Sequence, residues 1–167
     1  MQLDKKHVRQ TLEDFSKYVV KQSRANLTKG GKNSTKELYN SLGSEINVSK
    51  NSFGLDFLMA DHGKFQDQGV SGKIKKYNTP FAYKDKMPPT KAFDKWIIKK
   101  GIAPRIKGKF VSRESLKFAI AKSVFLNGIK PSFFFTKPFN DGFKRMPNDI
   151  IEAYGLDVEQ FLKQQLK

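Results

Sequence analysis

Apolar residues near the start of the chain recur at helical spacing. Val8, Leu12, Phe15 and Val19 step by four, three and four, laying one stripe along a helix predicted from Asp4 to about Thr28. Lys5, Lys6, Lys17 and Lys21 fall largely off that stripe, and Gly30-Gly31 ends the helix. A turn over "GGKNS" leads into a short helix over 35–42. The period then changes to two. In "SEINVSKNSFGLDFLM" (44–59), apolar and polar positions alternate on either side of Lys50-Asn51. A tight turn on those two residues predicts a hairpin whose partner numbers add to 101, so Val48 faces Phe53, Ile46 faces Leu55 and Ser44 faces Phe57. Paired residues share a face. This register therefore gathers Ile46, Val48, Phe53 and Leu55 on one buried face.

Beyond the hairpin, 61–69 reads as a turn with one helical turn, and 70–88 as a long loop rich in Lys, Tyr and Pro. Gly69 and Gly72 read as a hinge into that loop, an extended arm ordered mainly by its neighbours. A helix spans 88–101, opened by Pro88-Pro89 and closed by Gly101, with Phe93, Trp96, Ile97 and Lys100 on one face. Residues 102–110 form a second basic loop. The helix over 112–128 takes Ser112 as its N-cap, with Ser115 where a capping box would place Glu or Gln. Its apolar stripe is Leu116, Ala119, Ile120 and Val124. "PSFFFTKPF" (131–139) is an extended aromatic run entering a Pro-initiated helix, and 148–155 and 156–166 are two further helical segments. The expected fold is α+β: an antiparallel sheet built on a hairpin, packed by the long N-terminal helix and further helices. It is read as a single domain over 1–167 that contains a basic helical and loop insertion at 70–130.

Charge changes the picture. The chain holds 32 Lys+Arg against 16 Asp+Glu, a formal +16. Residues 71–130 carry 16 basic and 3 acidic side chains, against 11 and 8 in 1–70 and 5 and 5 in 131–167. Such a concentration favours a polyanionic neighbour, either nucleic acid or an acidic protein surface. The candidate contact residues are Lys73, Lys75 and Lys76, then Lys95, Lys99 and Lys100, then Arg105, Lys107 and Lys109. Tyr77, Phe81, Tyr83 and Phe110 are interleaved with them, which suits base stacking beside backbone neutralisation. An acidic protein face would suit the same lysines, and the residues leave both open.

Enzymatic signatures fail one by one. Gly72-Lys73 matches the end of a P-loop, but Asp67 stands where its first Gly belongs and Ile74 where Ser or Thr belongs. Gly69-Val70-Ser71-Gly72 is a GxxG, yet no helix is predicted after it, as the KH arrangement requires. The two histidines, His7 and His62, have no partner spacing. Asp56, Asp61 and Asp67 lie close in sequence without a D…ExK pattern, so they read as solvated or capping carboxylates. The HxxR and distant Tyr of tyrosine recombinases are missing. There are no cysteines, which removes disulfides and thiolate metal sites. No apolar run approaches the ~20 residues of a membrane span, and the start "MQLDKKHVRQ" has no apolar signal core. The expectation is a soluble, non-enzymatic protein made in the cytoplasm, with no catalytic, metal or cofactor site.

The order of pieces carries a resemblance. A long helix, a glycine break and "TKELYNSLGSEINV" run into the hairpin. "DHGKFQDQGV" then matches a (Y/H)(A/G)xFxxxG turn through His62, Gly63 and Phe65, and "PSFFFTKPFNDGF" matches an aromatic Pro-Phe helix start through Pro138 and Phe139. Residues 1–70 and about 131–155 resemble the neck or tail-completion (head–tail joining) proteins of tailed bacteriophages. Compact members pass from the glycine turn to the Pro-Phe helix in a few residues; here about 60 intervene and carry the excess charge. The resemblance implies a structural virion protein that forms a homo-oligomeric ring between portal and tail. Its partners would be portal, neck or tail proteins, or packaged DNA in the channel, with no membrane and no cofactor. A sequence-nonspecific nucleic-acid-binding protein is the alternative.

Overall fold

The computed structural model describes residues 5–32, 35–49 and 52–165, the side chain of Val48 excepted. The fold is α+β. Helix α1 spans Lys6–Lys29 and α2 Glu37–Ser41; strands β1 (Gly43–Val48) and β2 (Phe53–Leu58) form an antiparallel pair. Then follow α3 (Gly63–Gln68), a 3₁₀ turn at Thr90–Phe93, and α4 (Asp94–Lys100). A second, two-residue pair joins β3 (Arg105–Ile106) to β4 (Lys109–Phe110), before α5 (Arg113–Asn127), α6 (Thr136–Phe143) and α7 (Met146–Gln165). The chain packs as two compact units. One comprises residues 1–27, 41–59 and 134–167, and the other 28–40 and 60–133.

The first unit is organised by the α1 stripe. Val8 and Leu12 form a core with Ala153 of α7, and Ile46, Leu55, Met146 and Ile150 pack against it. Full burial of a side chain such as Val8 or Leu12 stabilises by about 1.5–3 kcal/mol. The register has Ile46 opposite Leu55 and Ser44 opposite Phe57, as the alternation predicts. The turn at Lys50-Asn51 and the side chain of Val48 lie outside the described residues. Phe53 departs from expectation: it is 38% exposed rather than buried. It sits at the end of the ladder, where the Lys5 ammonium covers its ring at 4.5 Å. Along the stripe, Phe15 meets Phe57 and Phe139 edge-on, with centroids 6.1 and 5.8 Å apart. Phe135 joins this aromatic cluster through Phe57 and Phe139.

The two predicted C-terminal segments are one helix. Met146, Ile150, Ala153 and Asp157 repeat on a single face of α7, so the core-facing stripe passes Gly155 without interruption. Asp157 closes the unit. Its Oδ1 accepts the His7 backbone N–H at 3.0 Å and Oδ2 accepts that of Val8 at 3.1 Å. The same Oδ1 lies 2.6 Å from His7 Nδ1. A helix N-terminus leaves its first N–H groups without intrahelical partners and carries partial positive charge. A carboxylate 150 residues away satisfies two of those donors. Burial pushes the Asp157 carboxyl up, but the His7 and Val8 N–H groups and the His7 ring outweigh it, and the net shift is downward.

In the second unit, Ser112 caps α5 as expected, its Oγ accepting the Ser115 N–H at 3.2 Å. The buried face of α5 is rotated from the predicted stripe: Ala119 is exposed, while Lys117 and Ala121 are buried. The 88–101 helix begins as a 3₁₀ turn and becomes α-helical at Asp94. The basic stretch 102–110 holds the small β3–β4 hairpin, turned by Lys107 and Gly108 at φ of 49° and 78°. Two successive positive-φ residues match the right-handed twist of a hairpin.

The hinge reading of Gly69 and Gly72 is overturned. Residues 69–72 are buried, and Val70 exchanges two 2.8 Å backbone hydrogen bonds with Ile129. Ser71 donates to Phe81 O and accepts from Tyr83 N–H, both at 2.8 Å, so the arm folds back on its own unit. A Cβ on Gly72 would stand 2.2 Å from the Leu126 carbonyl oxygen, and one on Gly128 would stand 2.1 Å from that of Val70. Gly69 (φ 77°, ψ 177°) and Gly128 (φ 72°, ψ −166°) both occupy a region essentially closed to other residues. These glycines permit two backbones to touch.

Candidate functional site

All nine predicted contact residues are exposed, and all belong to the 28–40 and 60–133 unit. That unit holds 20 Lys and Arg against 6 Asp and Glu, a net +14, while the other holds 12 against 10. The nine form three local groups, each on its own element. Lys95, Lys99 and Lys100 lie on α4. Arg105, Lys107 and Lys109 lie on the β3–β4 hairpin, where the Arg105 guanidinium sits 4.1 Å from the centroid of Phe110.

Lys73, Lys75 and Lys76 lie on the segment that closes the C-terminal end of α5. The N–H of Lys73 donates to Phe125 O at 2.9 Å, and those of Ile74 and Lys75 to Leu126 O at 2.9 and 3.2 Å. Positive charge is favourable at that end of a helix. The same bonds dispose of the phosphate-loop and GxxG readings. A phosphate cradle needs backbone N–H groups aimed outward; here the N–H groups of 72–75 are spent on carbonyls of the protein itself. Lys76 is partly spent too, its Nζ donating to Gly72 O at 2.8 Å.

One lysine of the basic stretch serves structure. Lys117 is buried on α5, 3.3 Å from Asp94 and 2.6 Å from Glu114. The Glu114 hydrogen bond raises its pKa; burial opposes this, and Asp94 adds to the rise. Glu114 three residues before Lys117 is a pattern legible in the sequence. Asp94, 23 residues away, is not.

The aromatics of the basic stretch are placed differently from the expectation. Phe81 packs edge-on against Phe65 with centroids 4.8 Å apart, and Tyr83 lies against Phe125 at 6.4 Å. Burial pushes the Tyr83 hydroxyl pKa up. Both rings line a cavity of about 1030 Å³ within this unit, together with Phe93, Trp96, Ile120 and Val124. Its walls are almost wholly aromatic, aliphatic and proline, with Lys84 and His62 as its basic side chains. Of the four interleaved aromatics, Phe110 alone is strongly exposed. A file of stacking rings along the lysines is therefore replaced by an apolar hollow beside them. Sequence reasoning missed this hollow because its lining comes from five separated segments.

The carboxylates do not converge. Asp56 and Asp61 are exposed, whereas Asp67 is buried, against the expectation of a solvated carboxylate. Its backbone carbonyl accepts the N–H groups of Ser132 and Phe133 at 3.0 and 2.9 Å, which holds the end of α3 against the 131–133 turn. Among the described residues no three His, Asp or Glu side chains gather as a metal site, and no helix is long and apolar enough to cross a membrane. Set against protein-family models, curated proteins and solved structures, the chain matches none. The 28–40 and 60–133 unit thus presents exposed basic groups on three elements and an apolar cavity.

Proposed function

We propose that this chain is a structural subunit of a phage head–tail connector, a neck or tail-completion protein that closes a homo-oligomeric ring between portal and tail of the virion. One observation carries the reading: exposed positive charge is concentrated in one unit of the chain, while the other unit is almost neutral. The order of pieces that resembles the family supports it. The mechanism is geometric. Head-to-tail contacts that close by rotation make rings, and the basic unit meets an acidic portal, neck or tail neighbour. Lysines spread over a loop, a helix and a hairpin suit a broad anionic face. They do not suit one transition state, which needs donors aimed at a point.

Each exposed ion pair is worth only about 0–1 kcal/mol, so docking is collective and screened by salt. The test reverses Lys73, Lys75, Arg105 and Lys107 to Glu and leaves Lys76 to its Gly72 bond. The isolated variant keeps its melting temperature, and its incorporation into particles, read by mass spectrometry of purified virions, is lost. Normal incorporation of the variant rejects the docking role, and metal-dependent turnover by the wild type rejects a purely structural protein.

A second reading, sequence-nonspecific nucleic-acid binding by Lys73–Lys109, is favoured by the exposed Phe110 beside Arg105. It requires DNA affinity that falls steeply with salt in a chain that stays monomeric.

A further inference from the structure

We propose that the apolar cavity of the 60–133 region is a socket for the outward face of α7 from a second copy of this chain. This inference rests on the connector reading and names the contact that would propagate the ring. Two features fit one another.

The first is a second stripe on α7. Met146, Ile150, Ala153 and Asp157 face the core of their own unit, but Ile151, Tyr154, Val158 and Leu162 repeat at helical spacing on another face. Ile151 is 71% exposed and Leu162 53%. Gly155 lies on this face, and a Cβ there would meet nothing within 4 Å. Gly is a poor helix former, and its own unit makes no use of the missing side chain. An approaching surface would, because the helix backbone can come closer there. An amphipathic helix laid into an apolar groove is read through such i, i+3, i+4, i+7 anchors.

The second feature is the cavity itself. At about 1030 Å³ it holds several side chains rather than one, and its walls include Phe65, Phe81, Phe93 and Trp96. Electrostatics choose the occupant. The exposed surface of α7 carries Asp149, Glu152 and Glu159 against Lys163, which pairs with Glu159, and Glu152 and Glu159 lie along one side of the exposed stripe. The cavity belongs to the unit with net +14, and Lys84 is part of its wall. Two basic units placed face to face would repel. An apolar socket in a basic unit suits an apolar stripe edged by carboxylates, and the two use different surfaces on the two copies. Such a contact is heterologous, the kind that closes into a ring when its rotation permits.

The absence of native cysteine makes the test clean. Full-length Ile151→Cys and Ala92→Cys are made separately, mixed in equal amounts and treated with a short bis-maleimide. Ala92 is exposed and lines the cavity. A cross-link between positions 151 and 92 can form only between two copies. The size of the wild type and of Ile151→Lys/Leu162→Lys is followed by light scattering across concentration. Both substituted positions are exposed, so the folding transition of the double variant serves as its control. The expected result is self-association of the wild type, a 151–92 cross-link, and association weakened about tenfold or more in the double variant. Self-association with no 151–92 cross-link and an unaffected double variant overturns this contact and leaves the ring reading standing. A wild type that stays monomeric at all concentrations, or that binds only DNA in a salt-dependent manner, overturns both. If only a different virion protein cross-links to position 92, that protein is the occupant and the inference falls.

Discussion

The unit formed by residues 1–27, 41–59 and 134–167 holds eight of the twelve buried hydrophobic residues found among the described ones, yet it is almost neutral. The unit formed by 28–40 and 60–133 holds the other four, together with nearly all the net charge and an open apolar cavity. The first is held by side chains: an α1 stripe, a hairpin face and a cluster of phenylalanines. The second is held by backbone, with glycines that let Val70 and Ile129 pair and the 73–75 N–H groups close α5. Few buried apolar contacts mean low local stability. The second unit thus combines lower apolar burial with concentrated exposed charge, and the first combines higher apolar burial with near neutrality.

The largest effect should come from touching the backbone contact. Valine at Gly128 meets the Val70 carbonyl oxygen at 2.1 Å and must adopt a conformation essentially closed to it. Strain and clash together should cost roughly 4 kcal/mol or more, beyond the ordinary range for point changes. Hydrogen exchange should show protection lost across α3, 69–83 and α5, with α1 and α7 protected as before. Loss of protection in both units together would show that they unfold as one.

The mirror-image experiment is Phe15→Ala. Phe15 is 9% exposed and meets two rings edge-on. Removing a core phenylalanine costs about 3–5 kcal/mol. The loss should appear in α1, the hairpin and α6. A cost under about 1 kcal/mol, the ordinary scale of surface changes, would mean that the aromatic cluster is not what holds the first unit.

These two variants also mark what the sequence could and could not reveal. The α1 stripe, the hairpin register and the Ser112 cap were legible because each is a local rule: a spacing of three or four, an alternation of two, one side chain reaching three residues on. Phe15 could be picked from spacing alone. Gly128 could not, since its role depends on Val70, far away in sequence; locally it reads only as the end of a helix, just as Gly69 and Gly72 read as a hinge. The basic residues of the site were legible as composition, and all nine are exposed. The cavity, the buried Lys117 and the Asp157 cap were not, because each joins segments that no periodicity connects.

The two units also differ in the sign of their pH response. Asp157 is held below the ordinary carboxylate value of 3.8, so its stabilisation is present above that value and is lost as pH falls through the folded one. Lys117 is held above its ordinary 10.5, so its contribution is full below that value and is lost as pH rises through the folded one. Acid should therefore loosen the α1 start and α7 first, and alkali should loosen α4 and α5 first. Asp157→Asn should cost about 1.5–3 kcal/mol near neutrality, the scale of hydrogen bonds to a charged group, and the deficit should shrink in acid as the wild type itself loses the charge. A deficit constant from pH 7 to pH 2 would assign the effect to packing and remove the electrostatic cap from the account.

The smallest effect lies at the edge of the first unit. The alternation placed Phe53 on the buried face with Ile46 and Leu55, and a buried phenylalanine there would cost about 3–5 kcal/mol on truncation. Instead Phe53 is 38% exposed at the end of the β1–β2 ladder, and its main added contact is the Lys5 ammonium 4.5 Å above the ring. A cation over an exposed ring is worth about 0.5–1 kcal/mol, and partial burial of the ring adds a similar amount. Phe53→Ala should therefore cost about 1–2 kcal/mol. Lys5 also donates to Ser49 O at 2.8 Å, so Lys5→Met should recover the packing and lose only the charged part. A double-mutant cycle between the two positions should give a coupling of about 0.5–1 kcal/mol, weakly reduced by salt. If Phe53→Ala costs as much as Phe15→Ala, the hairpin end is core, and the first unit reaches further along the hairpin than its burial pattern indicates.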